Sequence, residues 1–162
     1  MSQAAKELSD RIVGELNDLE FVVKKALRAW KQTTSETADQ DLFLDSVALN
    51  LQNFYSGLER LFELISKDID KEIPTGQTWH RELLRQIALD KPGVRPAVIS
   101  ESSVQALDEY RRFRHLVRNV YSIVLLPDRL GNLIAKLPET WIQIQQELKA
   151  FADFLQDLSV KS

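Results

Sequence analysis

The chain has 162 residues, of which 44% are hydrophobic and 28% charged, and this length and composition are typical of a single globular domain spanning residues 1–162. Its 24 acidic and 21 basic side chains give a net charge of −3, which excludes nucleic-acid binding through bulk charge and leaves only a local basic patch for it. The absence of cysteine excludes disulfides and thiolate metal sites and is compatible with the cytoplasmic location that we expect. No apolar run in the sequence is long enough for a membrane span.

Apolar residues at spacings of three and four predict the first two helices. The first helix is expected from Leu8 to about Lys31, and the second from Leu44 to about Ile69, where the sequence EIPTG ends it. A short third helix is predicted over residues 77–89, between that turn and a loop that contains proline and glycine.

Two further helices are predicted in the second half of the chain. Ser102 or Ser103 is expected to cap a fourth helix that runs to about Leu126, and Pro138 suits the first turn of a fifth. No strand pattern or repeat is present in the sequence. Four long helices with short connections predict an all-α fold, an antiparallel four-helix bundle with one short extra helix.

The fourth helix carries an unusual run of arginines. Residues 110–121 read YRRFRHLVRNVY, with four arginines, one histidine and no acid. At about 100° per residue, one face of this helix is apolar: Tyr110, Phe113, Leu116, Val117, Val120 and Val124. The opposite face is polar: Arg111, His115, Arg118, Asn119 and Ser122. Arg114 and Tyr121 lie nearly in line along the border between the two faces.

The arginine run has two interpretations. A solvated basic face on a bundle helix is the simpler one. The second is an anion site, because Arg111 and Arg114 have His115 and Arg118 four residues later, where acids usually provide pairing. Arginine is also the side chain best suited to bidentate contacts with phosphate. We therefore expect phosphate near this face.

At these residues the sequence resembles the HEPN superfamily, and more closely its HepT-like ribonuclease toxins. Their motif is Arg, a polar residue, three residues, His, one residue and Tyr. Arg114, His115 and Tyr121 match the Arg, polar and Tyr positions, while Asn119 stands at the position of the catalytic His. The stretches NFYSGLERLFE, WHRELLRQ and RPAVIS also resemble this branch, so the similarity covers about residues 45–130.

The resemblance implies a metal-independent endoribonuclease that acts as a homodimer, with its cleft at the subunit interface and no cofactor. RNA cleavage needs a cation for the charge on phosphate and a base for the ribose 2′-hydroxyl. Arg114 suits the first role. Asn119 has no usable basicity, so His115, four residues earlier, is the preferred base, and Asn119 orients the ring or the RNA. In the other interpretation, Asn119 marks a non-catalytic member.

Several residues are assigned by weaker arguments. Arg111 and Arg118 are predicted to bind RNA, and His80 and Arg81 to form a second basic edge, although a lone histidine beside tryptophan is more often structural. No metal site is expected from two histidines that are 35 positions apart. Glu59 is expected either to pair with an arginine or, more typically, to be exposed.

The resemblance also implies a partner. In this family Tyr121 corresponds to the tyrosine that receives AMP from a nucleotidyltransferase antitoxin. The simpler interpretation is that Tyr121 is a structural tyrosine of the bundle whose hydroxyl bonds a neighbour. AMP at Tyr121 would place a phosphate beside Arg114 and Arg118, occupying the anion site. The alternative function, from a different class, is a catalytically weak or inactive helical module that binds a nucleotidyltransferase partner or a nucleotide.

Overall fold

The computed structural model describes residues 2–33, 38–118 and 127–161 of the chain. They form five α-helices, which in chain order are α1 (Ser2–Thr33), α2 (Gln40–Ile65), α3 (Trp79–Ile87), α4 (Glu101–Arg118) and α5 (Pro127–Lys161). A π-helical turn (Ser66–Asp70) continues α2, and no strand is present in these ranges. The predicted all-α bundle of four long helices and one short helix is therefore confirmed. No helix in the same ranges is long and apolar enough to cross a membrane.

The core lies between the four long helices. The helix α1 packs against α2 and α5, and α4 packs against α2, α5 and the short α3. The apolar stripe predicted for the second helix is fully buried from Val47 to Ile65, and the stripes of α1 and α5 face it. Each buried leucine or isoleucine stabilises the fold by about 1.5–3 kcal/mol, so these stripes account for the bundle.

One glycine sets the approach of α1 to α2. A Cβ atom added at Gly57 would lie 2.7 Å from Cδ2 of the buried Leu19. The absence of a side chain at Gly57 thus allows α1 to lie directly against α2.

The fifth helix begins earlier than predicted. It starts at Pro127, and Pro138 lies inside it rather than in its first turn. Pro127 takes the first helical position, where its missing N–H has no acceptor to lose. At Pro138 the helix loses one internal hydrogen bond, but it continues because Leu137 and Trp141 on either side are buried in the core. The prediction of a helix start at Pro138 was wrong for this reason.

The start of α4 also differs from the prediction. Ser100, rather than Ser102 or Ser103, stands before the helix, and its hydroxyl accepts a hydrogen bond from the backbone N–H of Ser103 at 3.3 Å. This is the contact by which a capping serine satisfies a free N–H of the first turn. The predicted end of this helix near Leu126 lies outside the described residues.

A buried ion pair fixes the loop between α3 and α4. Arg95 donates from Nε and Nη2 to the two carboxylate oxygens of Asp70, at 2.6 and 2.8 Å, and both side chains are fully buried. Nη1 of Arg95 also donates to the carbonyl of Leu89 at 2.8 Å. The loop is thereby tied to the π-helical turn, which positions α3 beside α2.

Candidate functional site

Arg114 is turned into the bundle instead of lying on the border of α4. Its side chain is only 4% exposed. The neighbouring His115 and Arg118 are exposed, Arg111 is half-buried, and Leu116, which was predicted on the apolar face, is 43% exposed. The buried stripe of α4 is therefore narrower than predicted and includes an arginine. Asn119 and Tyr121 lie outside the described residues.

The guanidinium of Arg114 is held by one face of α2. Nη2 donates to both carboxylate oxygens of Glu59 at 3.0 and 2.9 Å, and Nη1 donates to the hydroxyl of Ser56 at 3.1 Å. The ring of Tyr55 packs beneath it, with 4.7 Å between the guanidinium carbon and the ring centre. Glu59 is buried and paired, so its predicted exposure was wrong and the alternative, pairing with an arginine, is confirmed. A charge buried at this depth requires such a partner.

His80 joins this ion pair from α3. Its Nδ1 lies 2.8 Å from Oε2 of Glu59 and 3.2 Å from Nη2 of Arg114. One nitrogen cannot donate to Glu59 and accept from Arg114 at the same time, and the shorter distance to a carboxylate favours Nδ1–H donating to Glu59. In the neutral ring Nε2 then carries the lone pair, and it has no hydrogen-bond partner among the described residues. A carboxylate that holds a histidine in this tautomer is the arrangement that prepares a general base.

The ring of His80 is positioned from two sides. The indole of Trp79 stacks on it with 3.6 Å between ring centres and 30° between planes, and Glu59 holds its edge. Its side chain nevertheless remains 31% exposed, whereas that of Glu59 is 8% exposed. His80 is therefore the member of the cluster that a ligand can reach. Below we call Glu59, His80 and Arg114 the Glu59 cluster.

The charge of Glu59 affects its neighbours. Burial, followed by this charge, raises the pKa of the Tyr55 hydroxyl above its ordinary value. The same two causes, in the same order, raise the pKa of Glu63, one turn further along α2. Tyr55 thus stays protonated beneath Arg114 and supports it through the ring.

Two other arginines of the run, Arg111 and Arg112, share an acidic partner that lies just outside it. Asp108 accepts from Nε of Arg111 at 2.7 Å and from Nε of Arg112 at 2.8 Å. Burial raises the pKa of Asp108, but these hydrogen bonds and charges outweigh it and hold the pKa below its ordinary value. The signal was present, because Asp108 precedes these arginines by three and four residues, just outside the run of residues 110–121.

Arg81 lies apart from the Glu59 cluster. It lines a cavity of about 600 Å³ between α3 and α4, which is surrounded by these residues: Arg81, Leu84, Arg85, Glu101, Val104, Gln105, Asp108, Glu109, Arg111 and Arg112. Acids and arginines are mixed there, so this surface carries little net charge. No group of three or more histidine, aspartate or glutamate side chains in the described ranges is arranged to hold a metal ion.

Comparison with protein-family models identifies a match. The model of a family described as "HepT-like protein" matches residues 46–155, which include most of α2, all of α3 and α4, and most of α5. No curated protein and no solved structure matches the chain. All three residues of the Glu59 cluster lie within the matched range.

Proposed function

This chain belongs to the HepT-like family, and from that premise we propose that it is a metal-independent endoribonuclease, the toxin of a toxin–antitoxin pair. The observation that carries the proposal is the carboxylate of Glu59, which binds Nδ1 of His80 and the guanidinium of Arg114 together. A histidine oriented by a buried carboxylate provides the base that RNA cleavage needs, and the arginine holds that carboxylate in place.

In the proposed reaction, Nε2 of His80 takes the proton of a ribose 2′-hydroxyl. The oxygen attacks the adjacent phosphorus and the bond from phosphorus to the 5′-oxygen breaks. The leaving 5′-oxygen takes a proton from water, and a 2′,3′-cyclic phosphate and a 5′-hydroxyl remain. Glu59 keeps Nδ1–H in place and stabilises the imidazolium that forms. Arg114 is too buried to bind the phosphate as the chain stands, so it acts by balancing the charge of Glu59 and by holding it in position.

The exposed face of α4 has a separate part in the proposal. His115, Arg118 and Asn119 would contact the RNA, together with Arg111. The sequence motif favours His115 as the base, but the geometry favours His80, because the buried carboxylate of Glu59 holds Nδ1 of His80. His115 therefore remains the second candidate for this role.

The experiment is cleavage of RNA in the presence of EDTA by the wild type and two histidine variants. In His80→Asn the amide N–H replaces Nδ1–H toward Glu59, but the base is lost, so the rate should fall by roughly 10²–10⁴-fold without loss of the fold. The matched change His115→Asn should retain most of the rate. The opposite ranking would move the base to His115, and full activity in both variants would end the proposal of a histidine base.

The proposal includes a homodimer and a modifying partner. A two-fold axis beside α4 would bring two basic faces together, and the exposed Leu116 supplies apolar surface for such a contact. Light scattering that finds only monomers would contradict the shared cleft.

A nucleotidyltransferase antitoxin would transfer AMP to Tyr121. Intact mass spectrometry after co-expression should show the adduct in the wild type and none in Tyr121→Phe.

A second function, binding without cleavage, is favoured by the burial of Arg114. Its guanidinium already holds a carboxylate, as in a structural ion pair. A module of this kind would bind a nucleotidyltransferase or a nucleotide and leave RNA intact. Asn119→His tests this function, since it restores the usual family residue. A protein that gains cleavage only in this variant is an inactive member, and a wild type that cleaves RNA is not.

A further inference from the structure

A second cavity lies on the other side of α3 from the one that Arg81 lines. It has a volume of about 650 Å³, within the range of small-ligand sites. Its walls come from α1, α2, the π-helical turn, residues 73–75 and α3: Arg11, Arg60, Glu63, Leu64, Lys67, Ile73, Pro74, Thr75, Trp79 and Leu83. We call it the Trp79 cavity. It contains none of the residues that the family motif identifies.

The charged side chains of the Trp79 cavity favour an anion. Arg11 comes from α1, Arg60 from α2 and Lys67 from the π-helical turn, so three separate elements direct cations to one space. None of the three has an acidic partner within 4.0 Å among the described residues. Glu63 is the one acid in the wall against three cations, and burial and the charge of Glu59 raise its pKa above its ordinary value. The excess of positive charge is thus built into a protein whose net charge is −3.

The remaining wall favours a flat, apolar group. Ile73 is 53% exposed, and Pro74 and Leu64 continue the apolar surface toward the indole of Trp79. Stacking of a nucleic-acid base on an aromatic side chain contributes about 1–3 kcal/mol. An acidic peptide would use the cations and leave this surface uncovered, whereas a nucleotide uses both. Cations around an aromatic platform are the combination that binds single-stranded nucleic acid without sequence preference.

The Trp79 cavity adjoins the Glu59 cluster. Trp79 forms part of the cavity wall and stacks on His80 at 3.6 Å. Glu63, in the same wall, is one helical turn from Glu59. A base that lies against Trp79 is therefore one ring away from His80, and the neighbouring nucleotide of the same strand can reach Nε2.

We propose that the Trp79 cavity binds one nucleotide of a single-stranded RNA, with its base on Trp79 and its phosphate held by Arg11, Arg60 and Lys67. This inference rests on the proposed function for the identity of the ligand as substrate, but binding can be measured without cleavage. In the complex, the strand passes from the cavity over Trp79 to His80.

The test is binding of a short, fluorescein-labelled, single-stranded RNA whose 2′-hydroxyls are methylated, so that attack by a 2′-oxygen is impossible. Fluorescence anisotropy of the full-length protein at low salt gives the affinity. Trp79→Leu should weaken binding by roughly 5- to 150-fold, the equivalent of one stacked base. Arg60→Gln/Lys67→Gln should weaken it at least about tenfold and reduce the slope of log affinity against log salt by about 0.7 for each phosphate that is no longer neutralised.

The matched control is Arg85→Gln/Arg112→Gln, which removes two exposed cations that line the other cavity, between α3 and α4. This variant should bind as the wild type does, and circular dichroism should show unchanged melting for all the variants. Equal losses of affinity in both double variants would overturn the proposal, because binding would then depend on the total positive charge and not on where the cations lie. Absence of binding by the wild type, or full binding by Trp79→Leu, would overturn it as well.

The two proposals fail in different ways. Tight binding through the Trp79 cavity, without cleavage of the unmethylated RNA, would support the proposed binding site and refute the proposed ribonuclease activity. If the Trp79, Arg60 and Lys67 variants cleave RNA and bind the methylated RNA with wild-type affinity, the proposed binding site is refuted and the proposed ribonuclease activity stands.

Discussion

The substitution Glu59→Gln removes the charge of a buried carboxylate and keeps its shape. Arg114 would then retain one bond from Nη2 to the amide oxygen and its bond to Ser56, but its charge would be unpaired. His80 would also lose the carboxylate that accepts from Nδ1. Since no atoms are deleted, no cavity forms, and the change measures the electrostatic contribution alone.

The expected loss of stability is about 3 kcal/mol. Removal of one partner of a buried ion pair costs about 3–5 kcal/mol, and the remaining amide bond places Glu59→Gln at the lower end. Solvent screening reduces this little, because the side chains of Arg114 and Glu59 are 4% and 8% exposed. For a domain of this size, each kcal/mol lowers the melting temperature by about 2–4 °C, so we expect a fall of about 6–12 °C.

Thermal melts followed by circular dichroism test this value. Glu109→Gln is the matched control, since Glu109 pairs with Lys136 on the surface, where it is 44% exposed, and should change stability by less than about 1 kcal/mol. The double variant Glu59→Gln/Arg114→Met removes both charges and should recover part of the loss. A fall below about 2 °C for Glu59→Gln, or simple additivity in the double variant, would show that this pair is not an electrostatic unit.

Two further predictions concern the frame of the site. Burial raises the pKa of Asp70, but hydrogen bonds from Arg95 and Gln86 outweigh burial and leave the pKa below its ordinary value. The stability that this carboxylate contributes is therefore present above about pH 4. It is lost as the pH falls through the lowered pKa of Asp70 in the folded protein. Chemical denaturation at stepped pH should show a weaker acid dependence in Asp70→Asn, and an unchanged dependence would contradict the assignment. Gly14→Ala should stabilise by about 0.5–1 kcal/mol, since nothing lies within 4 Å of the added carbon. Gly57→Ala should destabilise by about 1 kcal/mol, because that carbon meets Leu19; equal effects at the two glycines would refute the packing argument.

Local patterns in the sequence were sufficient for the helices, because burial on one side of a helix imposes a period of 3.6 residues. They were insufficient where the local preference of a residue is overridden by packing in the core. Pro138 has the chemistry of a helix start, and it is retained inside α5 because the core residues on both sides are buried.

The candidate site was predicted in part. The sequence identified Arg114, His80 and the possible pairing of Glu59, but gave no reason to place them together. His80 lies 21 residues from Glu59 and 34 from Arg114 along the chain, and only the packing of α2, α3 and α4 joins them. The sequence also could not show that Arg114 is buried, since its position on the helix is that of a border residue and the carboxylate that draws it inward is on another helix.

The short length of α3 has a consequence for the populations of the molecule. Nine residues are too few for a helix to be stable in water by itself, where about 12–15 are marginal. The ion pair of Arg95 and Asp70 holds the loop that follows α3, so we expect that opening of this anchor would release His80 and Trp79 while α1, α2 and α5 remain folded. Amide hydrogens of α3 should therefore exchange through a local opening of lower free energy than global unfolding, which hydrogen-exchange measurements would detect. The fraction of molecules with an assembled site is set by this local equilibrium, and any ligand that contacts α3 raises that fraction without changing the bundle.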